Sequence, residues 1–121
     1  VVAEGVNRVT DDHDPTAHAE VMAIREAGQK LSTHDLQGCV LYASCEPCPM
    51  CLGAILWARL DAVYFAATRE DARAAGFDDA HFYEEVNRQP ADRELTCRHL
   101  PTGQETDPFQ TWQATADKIR Y

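Results

Sequence analysis

The sequence has no long apolar run and few basic residues. Among its 121 residues, no stretch approaches the roughly 18–20 uninterrupted apolar residues that a membrane-spanning helix needs, so we expect no membrane partner. Lysine and arginine together number 11, against 20 aspartate and glutamate residues, and the net charge is −9. Proteins that bind nucleic acids gain affinity from basic side chains that neutralise phosphates. A nucleic-acid partner is therefore not expected.

Internal repeats, linkers and low-complexity segments are also missing from the sequence. The length suits one domain, and 45% hydrophobic residues are enough to fill a single modest core. We therefore predict one domain over residues 1–121.

The five cysteines are unevenly distributed. Cys39, Cys45, Cys48 and Cys51 lie close together, while Cys97 stands apart. A disulfide framework would spread and pair its cysteines, so the clustering favours metal binding or catalysis in a reducing compartment. No basic and apolar leader opens the sequence, and we expect a cytoplasmic protein.

Helix and strand patterns alternate along the chain. Short apolar runs predict strands over residues 1–6, 39–43, 62–67 and 95–100. Apolar residues three or four positions apart, with the helix-starting prolines, predict helices over residues 17–31, 47–58, 70–75, 80–86 and 109–119. Strands that alternate with helices indicate parallel pairing, so we predict an α/β fold in layers.

Two short segments at predicted helix starts carry metal-ligand side chains. One contains His18, and the other contains Cys48 and Cys51. Residues three apart share a helix face, and a helix N-terminus favours the thiolate that binds metal. One imidazole and two thiolates are typical ligands of Zn²⁺, and three protein ligands leave a fourth position for water. We predict one zinc ion per subunit on these three residues.

Glu20 lies two residues beyond His18, close enough to face water at the metal without binding the metal itself. A carboxylate in this position can take a proton from water and later deliver it to a leaving group. Glu20 is therefore a candidate catalytic residue.

A closed structural zinc site is the alternative that does not require an enzyme. Cys45 lies three residues before Cys48, so His18 and the three cysteines would make a complete Cys₃His set. Against this, Cys45 falls where the predicted strand ends, before the helix that turns the other two sulfurs inward. A structural site would also leave Glu20 without a role.

The pattern His-x-Glu followed by Pro-Cys-x-x-Cys is the signature of zinc nucleobase deaminases, and residues 18–20 and 47–51 match it. The sequence resembles the cytidine deaminase superfamily and, within it, the bacterial guanine deaminases. The narrower resemblance rests on residues 14–20, 44–55, 57–59 and 75–79. It continues to residues 108–110 and the terminal Tyr121, so it extends over nearly the whole chain. It implies a three-layer α/β/α sandwich with a mixed, largely parallel sheet. It also implies hydrolysis of guanine to xanthine and ammonia in purine metabolism.

The resemblance further implies a role for individual residues. Zinc would be held by His18, Cys48 and Cys51, and protons would be moved by Glu20, with Asp79 taking part. The purine would be contacted by Asn7, Ala19, Asp79 and Tyr121. The family also suggests a homodimer that exchanges a C-terminal segment of about residues 91–121. In that arrangement Asp79 and Tyr121 complete the partner's pocket.

The sequence departs from the family at its start. The family begins with a helix and a further strand inside the sheet, and neither is found here, so we expect an N-terminally shortened domain.

Two related reactions stay open. A tRNA adenosine deaminase shares the zinc motifs, but a net charge of −9 with two lysines makes a poor RNA surface. Cytosine or triazine deamination is chemically closer, because pocket shape alone separates these ring substrates.

Overall fold

Helices alternate with two strands along the chain. The structure is a computed structural model that describes residues 1–77 and 79–121. In chain order its elements are α1 (Val9–Asp12), α2 (Ala19–Leu31), β1 (Val40–Cys45), α3 (Pro49–Trp57), β2 (Ala62–Ala67), α4 (Arg69–Ala74), α5 (Ala80–Asn87), a 3₁₀ turn (Pro90–Asp92) and α6 (Asp107–Ala114). These residues form two compact units, Val1–Asn87 and Arg88–Tyr121.

The two strands pair in parallel, with Val40 opposite Ala62 and Cys45 opposite Ala67. Helix α3 makes the crossover between them, since parallel strands cannot be joined by a tight turn. Exposure alternates along β1, as in a strand with one packed face. The strands predicted at residues 39–43 and 62–67 are both present. β1 extends beyond its predicted end, to Cys45, and its carboxyl end leads into the Pro-Cys-x-x-Cys segment.

The predicted strand over residues 1–6 is wrong. Side chains of α2 take up its backbone groups: Lys30 Nζ donates to the Val2 carbonyl at 3.2 Å, and Glu26 Oε2 accepts from Glu4 N at 3.2 Å. Gly5 lies directly on α2, because a Cβ added there would come within 2.1 Å of the Ala19 carbonyl oxygen. The segment therefore packs along a helix in place of pairing with a strand.

The helices α2 and α3 both begin immediately after a predicted metal ligand. His18 is the N-cap of α2 and Cys48 is the N-cap of α3, each with extended backbone angles. Pro49 occupies the first turn of α3, where its missing N–H costs nothing. The two helices pack against each other. The ligand residues thus lie at two helix N-termini, where backbone N–H groups are unpaired.

The core of the first unit is small. Ala27, Leu36 and Ala58 form its buried cluster, and Cys51 and Ile55 are the buried residues of α3. Because Cys51 is on the buried side of α3, one metal ligand is part of the packed interior of this unit.

The second unit departs from the sequence prediction in two places. Residues 95–100 do not form the predicted strand, and Leu95 and Leu100 are 75% and 78% exposed. Helix α6 ends at Ala114 and not at residue 119, because the backbone becomes extended at Thr115 (φ −70°, ψ 120°). Lys118 Nζ donates to the carbonyls of Gln113 and Thr115 at this end. Within the described residues, no helix has both the length and the apolar character needed to cross a membrane.

Candidate metal centre

The His18 imidazole and the sulfurs of Cys48 and Cys51 converge at the starts of α2 and α3. His18 Nδ1 lies 3.7 Å from Cys48 Sγ and 3.5 Å from Cys51 Sγ. The three ligand atoms are all within 4.8 Å of one another. Cys51 is buried, and the other two residues are half-buried.

These positions fit a tetrahedral zinc ion. With Zn–S near 2.3 Å and Zn–N near 2.0–2.1 Å, tetrahedral geometry separates a nitrogen from a sulfur ligand by about 3.6 Å. The two observed separations, 3.5 and 3.7 Å, bracket this value. A set of one imidazole and two thiolates also suits Zn²⁺ and not the harder Mg²⁺ or Ca²⁺. The three residues could therefore hold zinc with one coordination position left over.

Cys45 has a different partner. Its Sγ donates to the Thr68 carbonyl at 3.8 Å, and burial raises the pKa of its thiol. Among the described residues, the group around His18 that has ligand-atom spacing does not include Cys45. This arrangement argues against the closed Cys₃His site.

The two ligand thiols differ in acidity. Hydrogen bonds from the Cys51 thiol and backbone, with the nearby His18 and the Met50 N–H, lower the pKa of Cys48 to about 6. The pKa of Cys51 is raised, because its proton is shared with Cys48, the thiol is buried and Glu20 is close. One thiolate is thus already favoured at neutral pH, and metal binding must remove the second proton.

Glu20 contacts this group without belonging to it. The residue lies in the first turn of α2, is half-buried, and accepts a hydrogen bond from Cys51 Sγ to its Oε2 at 3.4 Å. The carboxylate is therefore next to the ligands and is not one of the three ligand atoms.

A cavity of about 410 Å³ opens beside the ligands. His18 and Cys48 form part of its wall, and Phe82, Glu85 and Val86 of α5 form another part. The volume is in the range that accommodates a small ring compound. The sequence predicted α5 as a helix, but no motif marked these three residues as lining a pocket.

Asp79 immediately precedes α5 in the same unit as the metal ligands. Its Oδ1 is buried and has no hydrogen-bond partner among the described residues. Burial, followed by negative charges that include Asp79, raises the pKa of Cys45 and of Tyr83. The carboxylate therefore lies near the site of its own chain, and a buried oxygen without a donor favours a ligand that supplies one. Asp78, part of the motif at 75–79, is outside the described residues.

The other predicted substrate contacts are more scattered. Asn7 is exposed, and its Oδ1 accepts from Val9 N at 3.0 Å, which leaves its amide NH₂ group to donate to a ligand. Ala19 is the first residue of α2, between His18 and Glu20. Tyr121 belongs to the second unit and is 71% exposed.

Tyr83 of α5 is a residue that the sequence did not point to. Its hydroxyl donates to the Pro47 carbonyl at 2.6 Å, and the Arg69 guanidinium carbon lies 5.0 Å from the centroid of its ring. No motif includes Tyr83. The contact joins residues 36 positions apart, so local sequence patterns could not predict it.

Comparison with known proteins identifies the class to which this fold and site belong. Residues 1–67 match the cytidine and deoxycytidylate deaminase zinc-binding region, and the chain belongs to that family of zinc-dependent enzymes. The fold class expected from the sequence is thereby confirmed.

Individual relatives narrow the comparison within this family. A guanine deaminase of Bacillus subtilis is 49% identical over 121 residues, which is 100% of this chain and 78% of that protein. An X-ray structure of guanine deaminase from Bacillus subtilis superposes with a TM-score of 0.94 at 46% identity, covering 100% of this chain and 77% of that one. A tRNA-specific adenosine deaminase of Aquifex aeolicus is 45% identical over 67 residues, 55% of this chain and 44% of that protein.

Proposed function

We propose that the protein catalyses the zinc-dependent hydrolysis of guanine to xanthine and ammonia. The observation that carries the proposal is the tetrahedral spacing of the ligand atoms of His18, Cys48 and Cys51, together with the hydrogen bond between Cys51 and Glu20. The guanine deaminase of Bacillus subtilis is similar over the whole chain, whereas the tRNA-specific enzyme of Aquifex aeolicus is similar over 55% of it. This difference supports a purine base as substrate over tRNA.

His18, Cys48 and Cys51 would hold the zinc ion. When bound, Zn²⁺ supplies a Lewis acid that lowers the pKa of water from ~15.7 toward about 7. Glu20 would take a proton from the attacking water, whose oxygen adds to the carbon that bears the amino group, and would deliver that proton to a ring nitrogen of the purine. As the C–N bond breaks, Glu20 would assist the departure of ammonia.

Asp79 would recognise the substrate. Its buried Oδ1 can accept a hydrogen bond from the N–H edge of guanine, and the carboxylate can take part in proton transfer. A purine without that donor leaves the carboxylate unpaired, which penalises its binding. Asn7 would donate its amide to the purine, and Ala19 offers the backbone at the start of α2 as a further contact.

We further propose a homodimer that exchanges a C-terminal segment of about residues 91–121. Tyr121 then completes the pocket of the partner subunit. Asp79, which the resemblance assigned to the partner's pocket, serves the pocket of its own chain instead, because it precedes α5 in the unit that holds the metal ligands. The division of the chain after Asn87 supports an exchange that begins nearby. Gln89, before Pro90, has extended angles (φ −62°, ψ 148°), as an open connection requires. The clustered cysteines favour a reducing compartment, and we propose the cytoplasm.

The test is a substrate panel. Zinc-loaded protein is assayed for ammonia release from guanine, adenine, cytosine, an amino-triazine and an anticodon stem-loop, with xanthine identified by chromatography. We expect guanine to be turned over far faster than the others, and the metal-free protein to be inactive. Turnover of cytosine or of the stem-loop, with guanine unchanged, would contradict the proposal.

A further inference from the structure

Tyr83 joins α5 to the loop that carries the metal ligand Cys48. Its hydroxyl donates to the Pro47 carbonyl at 2.6 Å in a half-buried contact. That carbonyl belongs to the peptide bond leading into Cys48. Because a peptide group is planar, a donor that fixes the carbonyl oxygen also fixes the direction in which the chain enters Cys48.

The loop has few backbone donors of its own. Pro47 and Pro49 have no backbone N–H to donate. Glu46 is anchored on both sides, because its N–H donates to the Ala67 carbonyl at 2.9 Å and its Oε2 accepts from Arg69 N at 3.0 Å. Beyond the loop, the Cys48 carbonyl accepts from Leu52 N at 2.8 Å in the first turn of α3. Between these anchors, the Tyr83 hydroxyl holds the intervening peptide.

Arg69 restrains the tyrosine ring. Its guanidinium carbon lies 5.0 Å from the Tyr83 ring centroid, within the distance of a cation–π contact. Its backbone N–H is the group that binds Glu46. Arg69 therefore connects the anchor at Glu46 to the one at Pro47, and the tyrosine ring does not depend on α5 alone for its position.

We propose that Tyr83 is a positioning residue of the metal centre, which holds Cys48 Sγ at ligand distance from His18 Nδ1 through its hydrogen bond to Pro47. The sulfur lies 3.7 Å from the His18 nitrogen, close to the tetrahedral separation of about 3.6 Å. The inference rests on the zinc site of the proposed function. It concerns the arrangement of the ligand atoms around the metal and not the identity of the substrate.

The decisive variant is Tyr83→Phe, which removes only the hydroxyl. We expect zinc affinity, measured by competition with a chromogenic chelator, to fall about 10–100-fold, as is typical when a group that orients a ligand is lost. The visible absorption bands of the Co²⁺-loaded protein should shift, because the Co–thiolate geometry changes. Tyr42→Phe is the matched control: Tyr42 lies on β1 and is 78% exposed, so we expect both readouts to match the wild type.

The outcomes separate this inference from the zinc site itself. A folded Tyr83→Phe protein with wild-type zinc affinity and an unchanged Co²⁺ spectrum would overturn the role of Tyr83, even if its melting temperature had dropped. If Tyr83→Phe does not fold, Arg69→Met decides the matter, since it frees the ring and keeps the hydroxyl. A weaker shift in the same direction supports the role, and no shift overturns it. Failure of the wild-type protein to bind zinc would overturn the metal site, and the Tyr83 inference with it.

Discussion

Cys51 Sγ donates a hydrogen bond to Glu20 Oε2 at 3.4 Å, across 31 positions of sequence and between helices α2 and α3. A thiol must lose its proton before it can bind zinc. Metal binding therefore removes the donor that holds this carboxylate. Glu20 would then be free to accept a proton from water, as its proposed role requires.

Glu20→Gln should keep zinc and lose turnover. The amide has nearly the same shape but cannot accept a proton at neutral pH, and loss of a general acid–base group typically costs about 10²–10⁴-fold in rate. Metal content is measured by atomic absorption and turnover by xanthine formation. Glu70→Gln, an exposed glutamate of α4, is the matched control and should retain wild-type activity. Activity of Glu20→Gln within about threefold of wild type would contradict the assigned role.

The cysteine variants distinguish an open metal site from a closed one. Cys45→Ser should retain about one zinc per chain and most of its activity, because Cys45 Sγ is bonded to the Thr68 carbonyl and not grouped with the ligands. Cys48→Ser and Cys51→Ser should each lose the metal. If Cys45→Ser strips zinc as completely as these two, the site is the closed Cys₃His one.

Zinc affinity should depend on pH in two regimes. The pKa of Cys48 is lowered to about 6, so above that pH only the Cys51 proton, whose pKa is raised, competes with the metal. Below it, both thiols are protonated. The thiols alone should then weaken zinc binding about tenfold per pH unit between neutral pH and 6, and about 100-fold per unit below 6. Competition titrations from pH 5 to pH 8 measure the slope, and weakening of about 100-fold per unit already between neutral pH and 6 would contradict the unequal acidities.

Gly5→Ala should destabilise the protein, because its new Cβ would lie 2.1 Å from the Ala19 carbonyl oxygen and 2.6 Å from Ala23 N. Both are backbone atoms of a helix and cannot easily move, so we expect a loss of about 1–3 kcal/mol in the free energy of unfolding. Gly53→Ala is the control. Its Cβ would meet nothing within 4 Å, and alanine favours helix by about 1 kcal/mol. Urea denaturation measures both, and equal stability of the two variants would contradict the close approach of Gly5.

Mixing experiments test which chain supplies each residue of the pocket. A chain that lacks Tyr121, mixed with a Glu20→Gln chain, should recover about one quarter of wild-type turnover, because half of the dimers are mixed and each has one intact site. Mixing Asp79→Ala with Glu20→Gln should recover nothing, since both residues serve their own chain. Recovery in the second mixture, with subunit exchange verified by mass spectrometry, would assign Asp79 to the partner's pocket.

Local patterns in the sequence predicted much of the fold. The apolar run at residues 62–67 corresponds to β2, and the spacing of Cys48 and Cys51 on one helical turn predicted their shared face. These features depend on neighbours within a few positions. The valines at the start of the chain have the composition of a strand, yet a strand also needs a partner, and the partner of this segment is α2.

The surroundings of the metal ligands were harder to predict, because they depend on contacts between distant positions. The position of Cys45 relative to the ligand set depends on its hydrogen bond to Thr68, 23 positions away. The contact between Tyr83 and Pro47 and the cavity wall on α5 likewise join segments that no local spacing connects. Sequence spacing indicates which side chains could bind zinc, and only the fold shows what holds them.

Helix α2, which begins after the metal ligand His18, has given up a source of its own stability. An N-cap of Ser, Thr, Asp or Asn typically stabilises a helix by about 1 kcal/mol, but His18 makes no side-chain capping bond. Helix α4, away from the metal, begins with a complete capping box between Thr68 and Asp71. Chemistry and helix formation thus compete for position 18. Zinc held by His18 would supply part of the restraint that a capping side chain usually gives, so metal loading should stabilise the start of α2.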